Sequence, residues 1–297
     1  MKKIVIIGAT GKVGSKVTSQ LLAQGKQVDL IARNEDKLLP FKQKGASVHA
    51  FSVQEVDKLT KMLSGADVVL TMIASNATAA DFLEDQRQQA DAQIAAIVKS
   101  GIKNVVNLSS VGCHVIEGNG VIQGLTEMEV KLNQLKNVNV IHLRPTFYFE
   151  NTFYALGLIK HQGIYGLPIR GDKKFPMIAT QDVADTIVKY LTELNFTGKS
   201  VAPILGSQDY SLQEVTEALR HAIGKERLPY IQFSANDFTN GNKAAGSSDS
   251  FAERFTELMI ATDQGLLNYH TRTASNTTKT TLNDFAKNIF APAFQYN

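Results

Sequence analysis

The stretch IVIIGATGKVG, residues 4–14, decides how the chain begins to fold. Its leading aliphatic residues are typical of a buried strand, and three glycines at a spacing of three follow them directly. Apolar residues then recur at helical spacing, at positions 13, 17, 21 and 22. The stretch therefore predicts a strand, a tight turn and a helix in immediate succession.

Each glycine of this turn meets a different steric requirement. Gly8 permits a tight turn after the strand, Gly11 lets a ligand approach the backbone, and Gly14 lets the helix lie close to the sheet. The unpaired N–H groups and the dipole at a helix N-terminus favour an anion there. The pattern predicts a dinucleotide pyrophosphate site, and a glycine turn that binds no ligand is the alternative.

Short apolar runs and helical stretches alternate through the first half of the chain. The predicted strands are residues 3–7, 27–31, 47–51, 68–72, 104–108 and 138–143. A helix predicted for residues 81–100 ends at Gly101, a residue suited to a C-cap, and its inward-facing residues are expected to be Phe82, Ala90, Ile94, Ile97 and Val98. This alternation predicts an α/β fold with a doubly wound parallel Rossmann sheet.

The pattern changes after Pro145. The sequence predicts helices at residues 180–194, 251–261 and 281–290, a strand at 199–205, and a helix that starts at the capping box of Ser211 and Glu214. Residues 240–250 are small and polar, which favours a mobile loop, and the later segments lack a long core of their own. We expect residues 1–146 to form the nucleotide-binding Rossmann domain and residues 147–297 a smaller C-terminal α/β substrate lobe, with residues 180–205 returning to the Rossmann core.

Composition and charge exclude several classes of protein. Hydrophobic residues make up 43% of the chain and the formal net charge is only +3, which gives no basis for direct nucleic-acid binding. The basic cluster of Arg170, Lys173 and Lys174 is interpreted as a solvated loop, with a phosphate site as the alternative. The single cysteine, Cys113, excludes an intrachain disulfide and fits a reducing compartment. Because no apolar run approaches the roughly 18 residues of a membrane helix, we expect a soluble, cytoplasmic protein without membrane insertion.

The residue after the second predicted strand indicates which dinucleotide binds. A free ribose 2′-hydroxyl usually pairs with Asp or Glu there, but this chain has Arg33, whose guanidinium suits a 2′-phosphate. If Asn34 caps the following helix, Lys37 can reach the same phosphate. Asp29 and Glu35 are the acidic residues that could bind a ribose 2′-hydroxyl instead. Asp29 lies inside the predicted strand, and Glu35 lies beyond it. The pattern favours NADPH over NADH, and a surface charge at a strand end is the alternative for Arg33.

Motifs along nearly the whole chain resemble the NmrA-like branch of the atypical short-chain dehydrogenase/reductase superfamily, and in particular a quinone-reductase-like member. The matching stretches are GATGKVG at 8–14, ARN at 32–34, LSS at 108–110, LRP at 143–145, FEN at 149–151, DVA at 182–184 and TLNDF at 281–285. The resemblance implies that Pro145 and Phe147 lie near the nicotinamide, and that NADP(H) contacts Thr10, Gly11, Lys12, Val13, Arg33, Lys37, Ile73, Ala74 and Ser75. Some members of this family reduce quinones with NADPH, and others act as redox-sensing regulators.

The catalytic Tyr and Lys of the superfamily, four residues apart, are missing. None of the eight tyrosines is followed by Lys at that spacing. The sequence therefore identifies no catalytic residue, and it offers only Ser110 and His114 as candidates. Hydride addition to an aldehyde or ketone creates an alkoxide about as basic as hydroxide, which needs a positioned proton donor. A quinone gives a phenolate-like anion, near pKa ~10, which water can protonate. The absence of the Tyr-Lys pair therefore favours a quinone-like acceptor, or a protein that only binds the cofactor.

The aromatic residues that follow Pro145 suit a flat pocket. Tyr148, Phe149, Asn151 and Tyr154 are the candidate substrate residues, although the same aromatics equally suit the core of the smaller lobe. The six histidines show no spacing that indicates a metal site. The sequence predicts an NADPH-dependent oxidoreductase of a small planar acceptor. The alternative is a non-catalytic NADP(H)-sensing regulator that acts through a protein partner, and a homodimer is an open expectation in either case.

Overall fold

A parallel sheet lies at the centre of this computed structural model, which describes residues 2–268 and 270–296. The strands are β1 (Ile4–Ile7), β2 (Val28–Ala32), β3 (Ser47–Ala50), β4 (Val68–Thr71), β5 (Asn104–Leu108), β6 (Asn139–Pro145), β7 (Phe147–Tyr148), β8 (Tyr165–Leu167), β9 (Phe175–Ile178), β10 (Lys199–Ile204), β11 (Asp209–Tyr210) and β12 (Tyr230–Gln232). Seven of them pair in the order β10-β6-β5-β4-β1-β2-β3, all parallel. The predicted doubly wound α/β fold and its six early strands are confirmed.

Helices connect these strands. They are α1 (Gly14–Ala23), α2 (Leu39–Lys42), α3 (Val56–Leu63), α4 (Phe82–Ser100), α5 (Gln123–Gln134), α6 (Leu156–His161), α7 (Thr180–Glu193), α8 (Leu212–Ala222), α9 (Ala235–Ala244), α10 (Asp249–Gln264), α11 (Leu282–Phe285) and α12 (Ala291–Tyr296). Two short 3₁₀ segments, Gly120–Ile122 and Phe149–Ala155, and a π-helical turn, Ala286–Phe290, complete the helical structure. Among the described residues, no helix has both the length and the hydropathy that crossing a bilayer requires.

The residues of β1 alternate between two apolar layers. Ile4 and Ile6 pack in a buried cluster with Val17 and Leu21 of α1 and with apolar residues of α7. Val5 and Ile7 pack in a second cluster, together with residues of α3, α4 and α5. Because successive side chains of a strand point to opposite faces, this division shows that helices cover both faces of the sheet.

The buried face of α4 differs from the prediction. The helix has the expected limits, since the Asp81 side chain caps its start and Gly101 ends it at φ 71°. Val98, however, is 61% exposed, so the expectation that it faces inward was wrong. The buried arc also carries three of the four glutamines of α4, which are Gln86, Gln89 and Gln93. A sequence pattern that assigns every glutamine to the solvent misses this face. These side-chain amides are buried because each donates a hydrogen bond to a backbone carbonyl outside α4.

Residues 240–250 do not form the predicted loop. The helix α9 continues to Ala244, and Ser248 caps the start of α10 by accepting a hydrogen bond from the amide of Phe251. Lys243 of α9 forms an ion pair with Asp249 of α10 at 3.1 Å. Small polar residues are compatible with an exposed helix surface and with serine caps as well as with a loop, so their presence alone does not predict a break in the helix.

The later part of the chain has an apolar core of its own, contrary to the expectation. Its largest fully buried side chains are Phe149, Tyr165, Phe175, Phe285 and Phe290. These rings come from segments far apart in sequence, so no single segment shows a long apolar pattern. Two small sheets, β11-β9-β7 and β12-β8, lie in this part, whereas β10 pairs with β6 at the edge of the large sheet.

Candidate functional site

The strand order reverses between β1 and β4, which places a crevice at the carboxyl ends of these two strands. In open α/β sheets, ligands bind at such a switch point. The glycine turn leaves β1 here, and the loop of residues 72–76 leaves β4 beside it. The two segments are in contact, since a Cβ atom on Gly8 would lie only 2.4 Å from Met72 Sδ.

The geometry of the turn explains why two of its glycines are required. Gly8 has φ +71°, a backbone conformation that residues with a side chain rarely adopt. A Cβ atom on Gly14 would lie 2.2 Å from the Gly8 carbonyl oxygen, so the helix could not start so close to the strand. Gly11 donates its amide hydrogen to that oxygen at 3.0 Å, and it is exposed. The missing side chain of Gly11 keeps the outer surface of the turn clear.

The turn presents backbone donors to the crevice side of α1. Within the described residues, the amide groups of Thr10, Lys12 and Val13 have no hydrogen-bond acceptor. The side chain of Val13 is buried, so this residue offers only its backbone. No acidic residue lies in the first turn of α1. These free donors, together with the helix dipole, fit the diphosphate of a dinucleotide.

Arg33 and Lys37 are both exposed just beyond β2. Asn34 caps the turn between them, because its Oδ1 accepts a hydrogen bond from the Lys37 amide at 3.2 Å. The acidic competitor Asp29 is engaged elsewhere, at 3.2 Å from His49 Nε2 and 3.8 Å from Lys3 Nζ. The structure thus leaves two cations at the end of β2, where a ribose 2′-phosphate would need them.

Amide side chains from α4 fix the loop after β4. The Gln89 side chain bonds both the N–H and the carbonyl of Ala74, each at 2.9 Å, and Gln93 Nε2 donates to the Met72 carbonyl at 3.0 Å. Ile73 is half-buried, and Ala74 and Ser75 are exposed. These hydrogen bonds hold the loop that carries Ile73, Ala74 and Ser75, the three residues that the resemblance assigned to the cofactor, beside the glycine turn.

The predicted residues after β6 separate into two groups. Phe149 is fully buried and stacks on Phe285 with ring centroids 5.3 Å apart, so it belongs to the core of the lobe, and its prediction as a substrate residue was wrong. Pro145 is buried at the end of β6, whereas Phe147, Tyr148 and Asn151 are half-buried. Burial raises the pKa of Tyr148, which keeps it a neutral phenol.

Tyr154 differs from the other aromatics, because its side chain is 74% exposed. The ammonium of Lys12 lies over its ring, 4.3 Å from the ring centroid. This contact joins the glycine turn to the first segment of the second lobe. It brings together one residue predicted for the cofactor and one predicted for the substrate.

Sequence reasoning missed a buried ionic network at the ends of β5 and β6. Arg144 donates to both carboxylate oxygens of Glu129 in α5, at 2.9 and 2.5 Å. Ser109 donates to the same carboxylate at 2.5 Å. The candidate Ser110 instead donates to the carbonyl of Val111 at 2.9 Å. An arginine within an apolar strand pattern was the available signal, because a buried guanidinium requires an anionic partner.

The groups around this network are held neutral. Burial, and then the charge of Arg144, lower the pKa of both His114 and His270. Burial raises the pKa of the Cys113 thiol, which argues against a nucleophilic role. In the described part of the chain, no cluster of His, Cys, Asp and Glu residues is arranged to hold a metal ion. The site therefore offers hydrogen-bond donors rather than a strong acid.

Two motif carboxylates connect the lobes instead of meeting a ligand. Glu150 accepts hydrogen bonds from the Thr180 amide, at 3.0 and 3.1 Å, and from its hydroxyl, at the start of α7. Asp182 in α7 accepts from the amide and hydroxyl of Thr280, at 3.0 and 2.6 Å. The FEN and DVA stretches thus have a structural explanation.

Comparisons with known proteins identify relatives in sequence and in fold. The chain is 23% identical over 235 residues to the Photosystem II assembly factor Ycf39 of Synechocystis sp., which covers 75% of this chain and 68% of that protein. Its fold matches the NADPH-dependent quinone oxidoreductase QOR2 of Escherichia coli, solved with NADPH, at TM-score 0.83 and 22% identity over 97% and 99% of the two chains. It also matches NmrA, a negative transcriptional regulator solved with NADP, at TM-score 0.76 and 14% identity over 99% and 97% of the chains.

In fold, these neighbours confirm the resemblance to NmrA-like and quinone-reductase-like atypical short-chain dehydrogenase/reductases. The family model described as NAD(P)H-binding matches residues 8–194, which include the glycine turn, β6 and α7. The chain therefore belongs to the NAD(P)H-binding family.

Proposed function

We propose that this protein is an NADPH-dependent oxidoreductase of a small, planar, quinone-like acceptor. The observation that carries the proposal is the glycine turn, whose free amides at Thr10, Lys12 and Val13 adjoin the exposed cations Arg33 and Lys37. The amides bind the diphosphate, and the cations bind the 2′-phosphate and select against NADH. NADPH, when bound, supplies a hydride from its nicotinamide ring.

The choice of acceptor follows from what the site lacks. The chain has no Tyr-Lys pair, and the hydroxyl of Ser109 is committed to Glu129 at 2.5 Å. Neither group is available to protonate an alkoxide, which is about as basic as hydroxide. A reduced quinone is a much weaker base, near pKa ~10, and draws its proton from water or a neutral donor such as His114. Phe147, Tyr148 and Tyr154 supply aromatic surface for a planar molecule.

The test measures NADPH oxidation with benzoquinone and menadione, beside propionaldehyde and a blank without acceptor. Quinone-dependent turnover with inert aldehyde is the expected result. Lys12→Glu places a negative charge against the diphosphate and is expected to abolish turnover. Lys26→Glu is the matched control: this exposed lysine lies beyond the C-terminal end of α1, and the variant is expected to keep wild-type turnover. Faster aldehyde reduction than quinone reduction would reject the proposal.

A second function is favoured by the same committed Ser109 and by the likeness in fold to the regulator NmrA. In this alternative, the protein binds NADP(H) and signals its redox state to a protein partner without turnover. Micromolar or tighter NADPH binding in calorimetry, combined with no oxidation by any quinone, would favour the regulator over the enzyme.

A further inference from the structure

Lys12 and Tyr154 bring the glycine turn into contact with the second lobe. Lys12 is exposed in the turn between β1 and α1, and Tyr154 is exposed in the 3₁₀ segment that opens the second lobe. The Lys12 ammonium is 4.3 Å from the centre of the Tyr154 ring, which is cation–π geometry. No carboxylate pairs with Lys12 within the described residues, so the ring is the partner that holds this ammonium.

The position of this contact has a consequence for ligand binding. Lys12 adjoins the free amides that fit the diphosphate, so a bound dinucleotide places anionic oxygens within reach of the same ammonium. A cation–π contact at an exposed site is weaker than a charge-assisted hydrogen bond to phosphate. The diphosphate therefore displaces the Tyr154 ring as the partner of the Lys12 ammonium, but the contact with the ring must be broken first.

We propose that the contact of the Tyr154 ring with the Lys12 ammonium, which we call the clasp, is self-inhibitory. The clasp weakens cofactor binding in the free protein, and cofactor binding releases the Tyr154 ring toward the acceptor side. The inference rests on the proposed NADP(H) binding at the glycine turn. It assigns Tyr154 a role in cofactor affinity, in addition to the aromatic surface that it offers an acceptor. It also predicts ordered binding, because the ring becomes available to an acceptor after the cofactor has bound.

The experiment is a double-mutant cycle on the full chain, with NADPH affinity measured by calorimetry. Tyr154→Leu removes the ring, so NADPH is expected to bind about two- to five-fold more tightly, which is the strength of an exposed cation–π contact. Tyr154→Phe retains the ring and is expected to bind NADPH like the wild type. In a Lys12→Met background, Tyr154→Leu is expected to leave the affinity unchanged, since no ammonium remains to be released.

The outcomes separate this inference from the proposed function. Unchanged or weaker NADPH binding by Tyr154→Leu would overturn the clasp, as would an equal gain in the Lys12→Met background. A wild-type protein that binds no NADPH would instead reject the proposed function itself. Circular dichroism on each variant checks folding. Both side chains are exposed, so we expect the variants to fold like the wild type.

Discussion

Arg144, at the end of β6, holds both carboxylate oxygens of Glu129 in α5 through two parallel N–H···O bonds of 2.9 and 2.5 Å. Both side chains are nearly buried, with exposed fractions of 10% and 4%. Ser109 joins them from the end of β5. The network therefore holds β5, β6 and α5 together at the carboxyl ends of the two strands.

Breaking this ion pair from one side is expected to destabilise the protein strongly. Arg144→Met leaves the Glu129 carboxylate buried without its cation, which costs about 3–5 kcal/mol of unfolding free energy. Urea unfolding followed by circular dichroism measures this loss. The double variant Arg144→Met with Glu129→Leu removes both charges and should recover most of the stability. A single variant that loses less than about 1 kcal/mol would show that water reaches the carboxylate.

Arg33 is expected to select the cofactor. Arg33→Ala removes a charge-assisted contact worth about 1.5–3 kcal/mol, so NADPH affinity should fall about 10- to 100-fold while NADH affinity changes little. Calorimetry with both nucleotides measures the two losses. Arg227→Ala, which removes an exposed arginine of the second lobe, is the matched control. Equal losses for NADPH and NADH would eliminate the 2′-phosphate role of Arg33.

Gly14 is expected to tolerate no side chain. In Gly14→Ala, the new Cβ atom would lie 2.2 Å from the Gly8 carbonyl oxygen, so the turn must shift. We expect a loss of about 1–3 kcal/mol in stability and a weaker NADPH site. Gly157→Ala is the control, because that glycine has open space around it and lies in a helix. Thermal unfolding should leave this control at or above the wild type, and a similar melting temperature for Gly14→Ala would contradict the model of the turn.

His142 is expected to make stability depend on pH. It is 1% exposed and lies between Asn107 and Asn133, each at 3.1 Å, and burial lowers its pKa to about 4 from its ordinary 6.5. The folded protein therefore binds this proton less readily than the unfolded chain does. The contribution of His142 is fully present above pH 6.5. It is lost as the pH falls toward about 4, by about 3 kcal/mol in total.

Urea unfolding between neutral pH and pH 4 measures this dependence. Glu129, Arg144 and Lys199 also act on the titration, but burial is its largest cause. His142→Gln removes the titrating group and should flatten that part of the profile. An unchanged profile in the variant would assign the acid sensitivity to other residues.

The strand, glycine turn and helix at the start of the chain were largely predictable from the sequence, because they depend on neighbouring residues. Gly8, Gly14 and the aliphatic run before them form a strand and a turn through local sterics. The same holds for the Asp81 cap and for Gly101, which fix the limits of α4. The inward face of that helix was predicted less well, because a buried glutamine looks the same in sequence as a solvated one until its partner is known.

The sequence by itself determined the alternating α/β layers, the glycine turn and the cations beyond β2, since periodicity, glycine sterics and charge act over a few residues. Only the tertiary structure decided that Arg144 meets Glu129, that Asp182 meets Thr280, and that Lys12 lies over Tyr154. Each of these contacts joins residues from separate elements. Their partners are chosen by how the sheet and the second lobe pack, and that information is spread over the whole chain.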